Sequence, residues 1–86
     1  MPVLCVHGPL RQLAGGSGEH QLHAATVLEL VRELEREHPE LGGWIVDERG
    51  LIRRHINVFV NGERGDEGTP VAPDARVEIL PAITGG

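Results

Sequence analysis

Thr26-Val27-Leu28-Glu29-Leu30-Val31-Arg32-Glu33-Leu34-Glu35-Arg36-Glu37 is the stretch on which the fold turns. Thr26 and Glu29 stand three apart, the spacing at which a threonine hydroxyl and a glutamate carboxylate satisfy amide donors that a helix start leaves without partners. Val27, Leu30, Val31, Leu34, His38 and Leu41 then recur at helical spacing, while Arg32, Glu33, Glu35, Arg36 and Glu37 cover the remaining arc. The pattern predicts one amphipathic helix, closed by Pro39 and Gly42-Gly43. A helix with a single apolar stripe needs an apolar surface to lie on, so the flanking segments must supply a sheet.

Upstream, Pro2 to His7 is a short run of β-formers ended by Gly8 and Pro9. We assign Val3 and Cys5 to the face of this strand that meets the helix, and Leu4 and Val6 to the other. Leu10 to Gly18 contains the turn-forming Gly15-Gly16-Ser17-Gly18, and Glu19 to Ala24 alternates weakly around Leu22 and Ala24, which makes a hairpin with a long loop. Downstream, Trp44-Ile45-Val46 and Leu51-Ile52 flank the turn Asp47-Glu48-Arg49-Gly50, an irregular crossover with room for a short helical turn. His55 to Asn61 alternates cleanly, with Ile56, Val58 and Val60 on one face, and Asn61-Gly62 marks a tight reversal. Val71 is placed in a short edge segment. Arg76 to Pro81 is the last strand, with Val77 and Ile79 on one face and Arg76, Glu78 and Leu80 on the other. The expectation is an α+β domain over residues 1–81, a mixed sheet of four to five strands with one main helix on one face, followed by a tail, residues 82–86.

The chain has 86 residues and a formal charge of −5, from 13 acidic residues against 8 basic ones. That balance speaks against a nucleic-acid module, whose phosphate contacts need concentrated positive charge. Every basic residue is Arg, so there is no side-chain amine to accept an acyl group. The single cysteine, Cys5, rules out an intramolecular disulfide and a cysteine-rich zinc site, and fits a reducing cytoplasm. No apolar stretch approaches a membrane span, and the first residues lack a charged region with a cleavage site, so neither export nor a membrane anchor is expected.

A catalytic constellation is missing from the sequence. Cys5 has no histidine in a suitable register and reads as packing. His20 and His23, three apart in a strand, fall on opposite faces and share no metal. Gly15-Gly16-Ser17-Gly18 lacks the lysine and the strand-to-helix setting of a phosphate loop, and Arg53-Arg54 reads as a solvated crossover. We therefore expect no active site, no metal and no cofactor held by the chain itself. The tail is more informative. Gly85-Gly86 follows the last strand after only Ala82-Ile83-Thr84, and a tail without Cβ atoms can thread a narrow channel to present its carboxylate to another protein's active site. If Val58, Val60, Val77 and Ile79 face the helix, Phe59 and Leu80 face away from it beside Leu4 and Val6, an apolar surface suited to a protein partner unless the crossover around Trp44 folds over it.

Taken together, the order of elements, the segment Thr26-Val27-Leu28-Glu29-Leu30-Val31, the strand Ile56-Asn57-Val58-Phe59-Val60-Asn61-Gly62 and the ending Val77-Glu78-Ile79-Leu80-Pro81-Ala82-Ile83-Thr84-Gly85-Gly86 resemble the ThiS/MoaD family of ubiquitin-like sulfur carriers, over nearly the whole chain. The resemblance implies a β-grasp fold. It also implies an E1-like adenylating enzyme that uses ATP to activate Gly86, with Thr84 and Gly85 forming the approach, and a thiocarboxylate on Gly86 once sulfur replaces one oxygen. Thiazole-synthesis carriers are usually shorter and lack the segment between the helix and the strand that starts at His55. The small subunit of molybdopterin synthase has similar length, but Asp47-Glu48-Arg49-Gly50-Leu51-Ile52-Arg53-Arg54 and Ile79-Leu80-Pro81-Ala82 look more like the actinobacterial cysteine-synthesis carriers. In that branch the acceptor is a PLP-dependent cysteine synthase, a zinc metallopeptidase frees the product, and relatives supply sulfur to specialised metabolites. Ile83-Thr84 departs from the Val-Ala common before Gly-Gly in these families, which leaves the activating enzyme open. A ubiquitin-like protein modifier or a plain interaction module is the alternative of another class.

Overall fold

The computed structural model describes residues 1–81. Its elements run β1 (Val3–Val6), α1 (Pro9–Leu13), β2 (Glu19–Gln21), α2 (Val27–Glu37), a 3-10 turn (Pro39–Leu41), β3 (Ile56–Val60), β4 (Glu63–Gly65) and β5 (Arg76–Pro81). The five strands form one mixed sheet in the order β2-β1-β5-β3-β4. Strand β5 lies at its centre, parallel to β1 and antiparallel to β3. With α2 across one face, this is the ubiquitin-like β-grasp arrangement.

Helix α2 starts as its capping spacing requires. The Glu29 amide donates to Thr26 Oγ1 at 3.2 Å, and Glu29 Oε1 accepts from the Ala25 amide at 3.0 Å, one residue earlier than a strict capping box. The helix stops at Glu37 because Pro39 cannot continue its hydrogen-bond ladder; His38 caps it through its amide to the Leu34 carbonyl. Val27, Leu30, Val31 and Leu34 are fully buried against Val58, Val77 and Ile79, so the predicted stripe is the stripe that packs.

Strand β1 corrects the sequence reading. Leu4 and Val6 are 0% and 1% exposed and belong to the core beneath α2. Cys5 lies on the opposite face. The cause is register: Leu4 pairs with Val77 and Val6 with Ile79, and directly paired residues share a sheet face. Leu4 and Val6 therefore form no part of a partner surface.

The long loop of the first hairpin holds α1, which the turn-forming residues after it obscured. Pro9 supplies the fixed φ of a first helical position, and Leu10 and Ala14 enter the core. One edge of the sheet is β4, reached through Asn61 (φ 51) and Gly62 (φ 84), the left-handed pair that closes a two-residue hairpin. Val71 is instead buried beside the bridge between Thr26 and Pro70. In the crossover, Val46 and Ile52 bridge across a turn in which Asp47 Oδ1 accepts from the amides of Arg49 and Leu51. The Arg49 guanidinium on Asp47 Oδ2, with those amides, holds the Asp47 carboxyl below the usual carboxylate range. Ile45 and Val46 join the core, and Gly50 lies against Leu28 and Arg32 of α2, so the crossover packs on the helix side of the sheet.

Candidate functional site

The sheet face turned away from α2 is assembled by pairing. Phe59 of β3 stands opposite Glu78 of β5 and Arg64 of β4; Asn57 stands opposite Leu80. Phe59 and Leu80 are therefore diagonal neighbours on one face, and both are half-buried. Neither packs with the core cluster. Across the sheet the same face continues through Arg76 and Glu78 to Val3 and Cys5 of β1, and then to Glu19 and Gln21 of β2.

This face is less apolar than the sequence suggested, because Leu4 and Val6 have gone to the core and polar pairs take their place. Arg76 Nη2 lies 3.3 Å from Glu19 Oε2, His7 Nε2 lies 3.3 Å from Glu78 Oε1, and Arg64 Nη2 donates to Asn57 Oδ1 at 2.6 Å. A small apolar centre with a charged rim is the anatomy of a protein contact rather than of a lipid or nucleic-acid surface. Cys5 sits on this face yet is only 2% exposed, and burial raises its thiol above the usual cysteine range, so it stays a protonated packing group. Trp44 is 49% exposed at the crossover, whose core-packed residues anchor it to the other side of the sheet.

Strand β5 is the described element that immediately precedes the tail. Its residues pair on both sides, and at its end Ile56 pairs with Pro81 while the His7 amide donates to the Ile79 carbonyl at 3.2 Å. Gly8 closes the other flank: a Cβ there would meet Pro81 Cγ at 3.2 Å, and its φ of 62° with ψ of −143° is glycine territory. Sequence reasoning took Gly8 only for a strand breaker; the structure sets it beside the last residue of β5. Thr84, Gly85 and Gly86 lie outside the described residues, as does the rest of the tail.

Among the described residues no helix is long and apolar enough to cross a membrane. The ThiS family model matches residues 5–86. A chain of the Amycolatopsis orientalis BexX/CysO complex is 31% identical, with TM-score 0.90 and full coverage of both chains. SAMP1 from Haloferax volcanii is 27% identical, with TM-score 0.86 over 99% of this chain and 98% of that one. CysO from Mycobacterium tuberculosis is 25% identical, with TM-score 0.87 over 96% of this chain and 100% of that one. Among curated proteins no sequence matches.

Proposed function

The chain belongs to the ThiS family of ubiquitin-like sulfur carriers, and from that membership we propose that it is a co-substrate which carries sulfur on the carboxyl carbon of Gly86. The observation that carries the reading is the position of β5: the central strand, held on both sides, ends at Pro81 with only Ala82-Ile83-Thr84 before Gly85-Gly86.

The chemistry needs no active site in this chain. A carboxylate is a poor electrophile, so an E1-like enzyme first directs a Gly86 oxygen to the α-phosphorus of ATP, with pyrophosphate leaving. A sulfur nucleophile then attacks the carboxyl carbon of the acyl adenylate, and AMP departs with the C–O bonding pair. With hydrosulfide as donor, one proton is released and the thiocarboxylate remains. Phe59 and Leu80 form the apolar centre on which the activating enzyme docks, and Thr84 and Gly85 lie in its channel. Full-length likeness to a chain of a CysO complex supports an acceptor in cysteine synthesis, a PLP-dependent synthase followed by a zinc metallopeptidase, or in a specialised sulfur metabolite. The Pyrococcus furiosus putative molybdopterin converting factor, at 22% identity, shares the fold and adds nothing for the molybdenum-cofactor reading.

Intact mass after incubation with ATP, sulfide and an E1-like enzyme of its own organism tests the proposal. The expected result is the exchange of one oxygen for sulfur, confined to the C-terminal peptide and absent from a chain ending at Gly85. A Gly85-terminated chain that reacts at the wild-type rate overturns the assignment. One observation favours a second reading: the small archaeal modifier protein 1 of H. volcanii is 26% identical over 95% of this chain. Covalent adducts between Gly86 and lysines of other proteins in cell lysate would establish that role.

A further inference from the structure

The geometry points to a binding site for a divalent transition-metal ion of the zinc class, formed by His20, Glu37 and His38 at the joint between β2 and the end of α2. One donor atom from each of the three side chains lies within 4.8 Å of the others. In a tetrahedral zinc shell two such donors stand about 3.4 Å apart, given metal–nitrogen and metal–oxygen distances near 2.1 Å. A shared ion would draw the three donors together to that spacing. Two imidazole nitrogens and one carboxylate oxygen make a borderline donor set, suited to zinc, cobalt or nickel, and leave a fourth position for water.

The fold brings these residues together for reasons unrelated to tail chemistry. His20 pairs with Leu4 across β1 and β2, so it shares the face of the sheet that looks toward α2. Glu37 is the last residue of α2 and His38 its cap, which places both at the helix end nearest that strand. The two imidazole rings meet edge to face, 5.4 Å between centroids and 71° between planes.

A second feature prepares His20 as a ligand. Its Nε2 lies 2.9 Å from the Ser17 carbonyl oxygen. A carbonyl can only accept, so Nε2 carries the proton and, in the neutral ring, Nδ1 presents its lone pair. A ring nitrogen donating to a backbone carbonyl is the outer-shell partner that fixes tautomer and ring angle in histidine metal sites. The glycine loop serves the other ring: a Cβ at Gly15 would lie 2.9 Å from His38 Cε1, and Gly15 has φ +75°. Both His20 and His38 are half-buried, whereas Glu37 is exposed and open to the incoming ion. The loop Gly15-Gly16-Ser17-Gly18, which the sulfur-carrier reading leaves without a role, thus makes room for one ligand and orients the other.

The test uses untagged full-length protein stripped with a chelator. Zinc at about a hundredfold its dissociation constant is expected to raise Tm by about 5 °C or more, since an ion that binds only the folded state stabilises it. Cobalt(II) should give the intense visible absorption of a tetrahedral site. His20→Gln and His38→Gln should each lose most of the zinc-dependent shift, whatever they do to Tm without metal, and Glu37→Gln, at an exposed position, should weaken the cobalt titration with an unchanged apo Tm. Zinc leaving the wild-type Tm unmoved with no cobalt absorption, or an equal response in both histidine variants, overturns the site. Neither result bears on Gly86.

Discussion

Gly8 faces Pro81 at the end of the sheet: a Cβ added to Gly8 would sit 3.2 Å from Pro81 Cγ, tighter than ordinary side-chain packing. Gly8, two residues beyond the end of β1, thereby fits closely against the last residue of β5. Gly8→Ala adds this crowding to a backbone conformation that costs a side-chain-bearing residue about 1 to 3 kcal/mol. Urea denaturation should show a loss of that size. The rate of adenylation at Gly86 should fall as well, measured at a temperature where the variant is fully folded.

Phe59 and Leu4 separate the two faces of the sheet. Phe59→Arg and Leu80→Arg should leave stability within about 1 kcal/mol, because both side chains lie outside the core cluster, yet raise the KM of the activating enzyme for the carrier about tenfold or more. Leu4→Ala should instead cost about 2 to 5 kcal/mol by opening a cavity under α2. A Leu4→Ala chain with wild-type stability and impaired docking would contradict the register described for β1.

Thr26→Ala removes the acceptor for the Glu29 amide. A loss of about 1 kcal/mol is expected, read as a fall in Tm of roughly 4 to 8 °C for a domain of this size. Far-ultraviolet circular dichroism should show the helix retained.

Two carboxylates should give opposite pH slopes. Glu35 Oε2 is buried with no hydrogen-bond partner among the described residues, and burial raises its carboxyl above the usual glutamate range despite nearby Arg32. The folded state therefore holds that proton more tightly than the unfolded chain, and ionised Glu35 is a burden at neutral pH. Glu35→Gln should raise Tm at pH 7.5, with the gap closing as pH falls through the raised value toward the ordinary glutamate one. Asp47 runs the other way: its contribution is complete above the ordinary aspartate value and is lost as pH falls through the depressed one. Asp47→Ala should lower Tm at pH 7.5 and matter progressively less in acid, as thermal melts across pH will record.

Helix α2, strands β3 and β5 and the reversal at Asn61-Gly62 were legible because each carries its own period or turn chemistry. Ile56, Val58 and Val60 alternate with Asn57 and Phe59, so only one face can be buried. Val3-Leu4-Cys5-Val6 has no such contrast, since all four residues are apolar. Its facing is decided by pairing with Val77 and Ile79, more than seventy residues away, which local pattern does not contain. Edge strand β4, Glu63-Arg64-Gly65, was obscured for a related reason: an edge strand with exposed side chains shows no apolar alternation. The ending Gly85-Gly86 is plain in the sequence and lies outside the described residues; the clustering of His20, Glu37 and His38 was not legible. His38 read as one more position of the apolar stripe, and only the packed structure sets it against a strand eighteen residues earlier.

The order β2-β1-β5-β3-β4 also has a meaning in time. Of the five strands, the central one leaves the ribosome last. Until β5 emerges, the two hairpins, β1 with β2 and β3 with β4, share no strand pairing, and the parallel match to β1, the longest-range pairing of the sheet, waits for it. The strand that joins the two halves is the one that leads into the tail. A chain whose β5 is missing or misregistered therefore leaves the two halves of the sheet unjoined, and on the proposed function completion of the fold precedes the loading of sulfur.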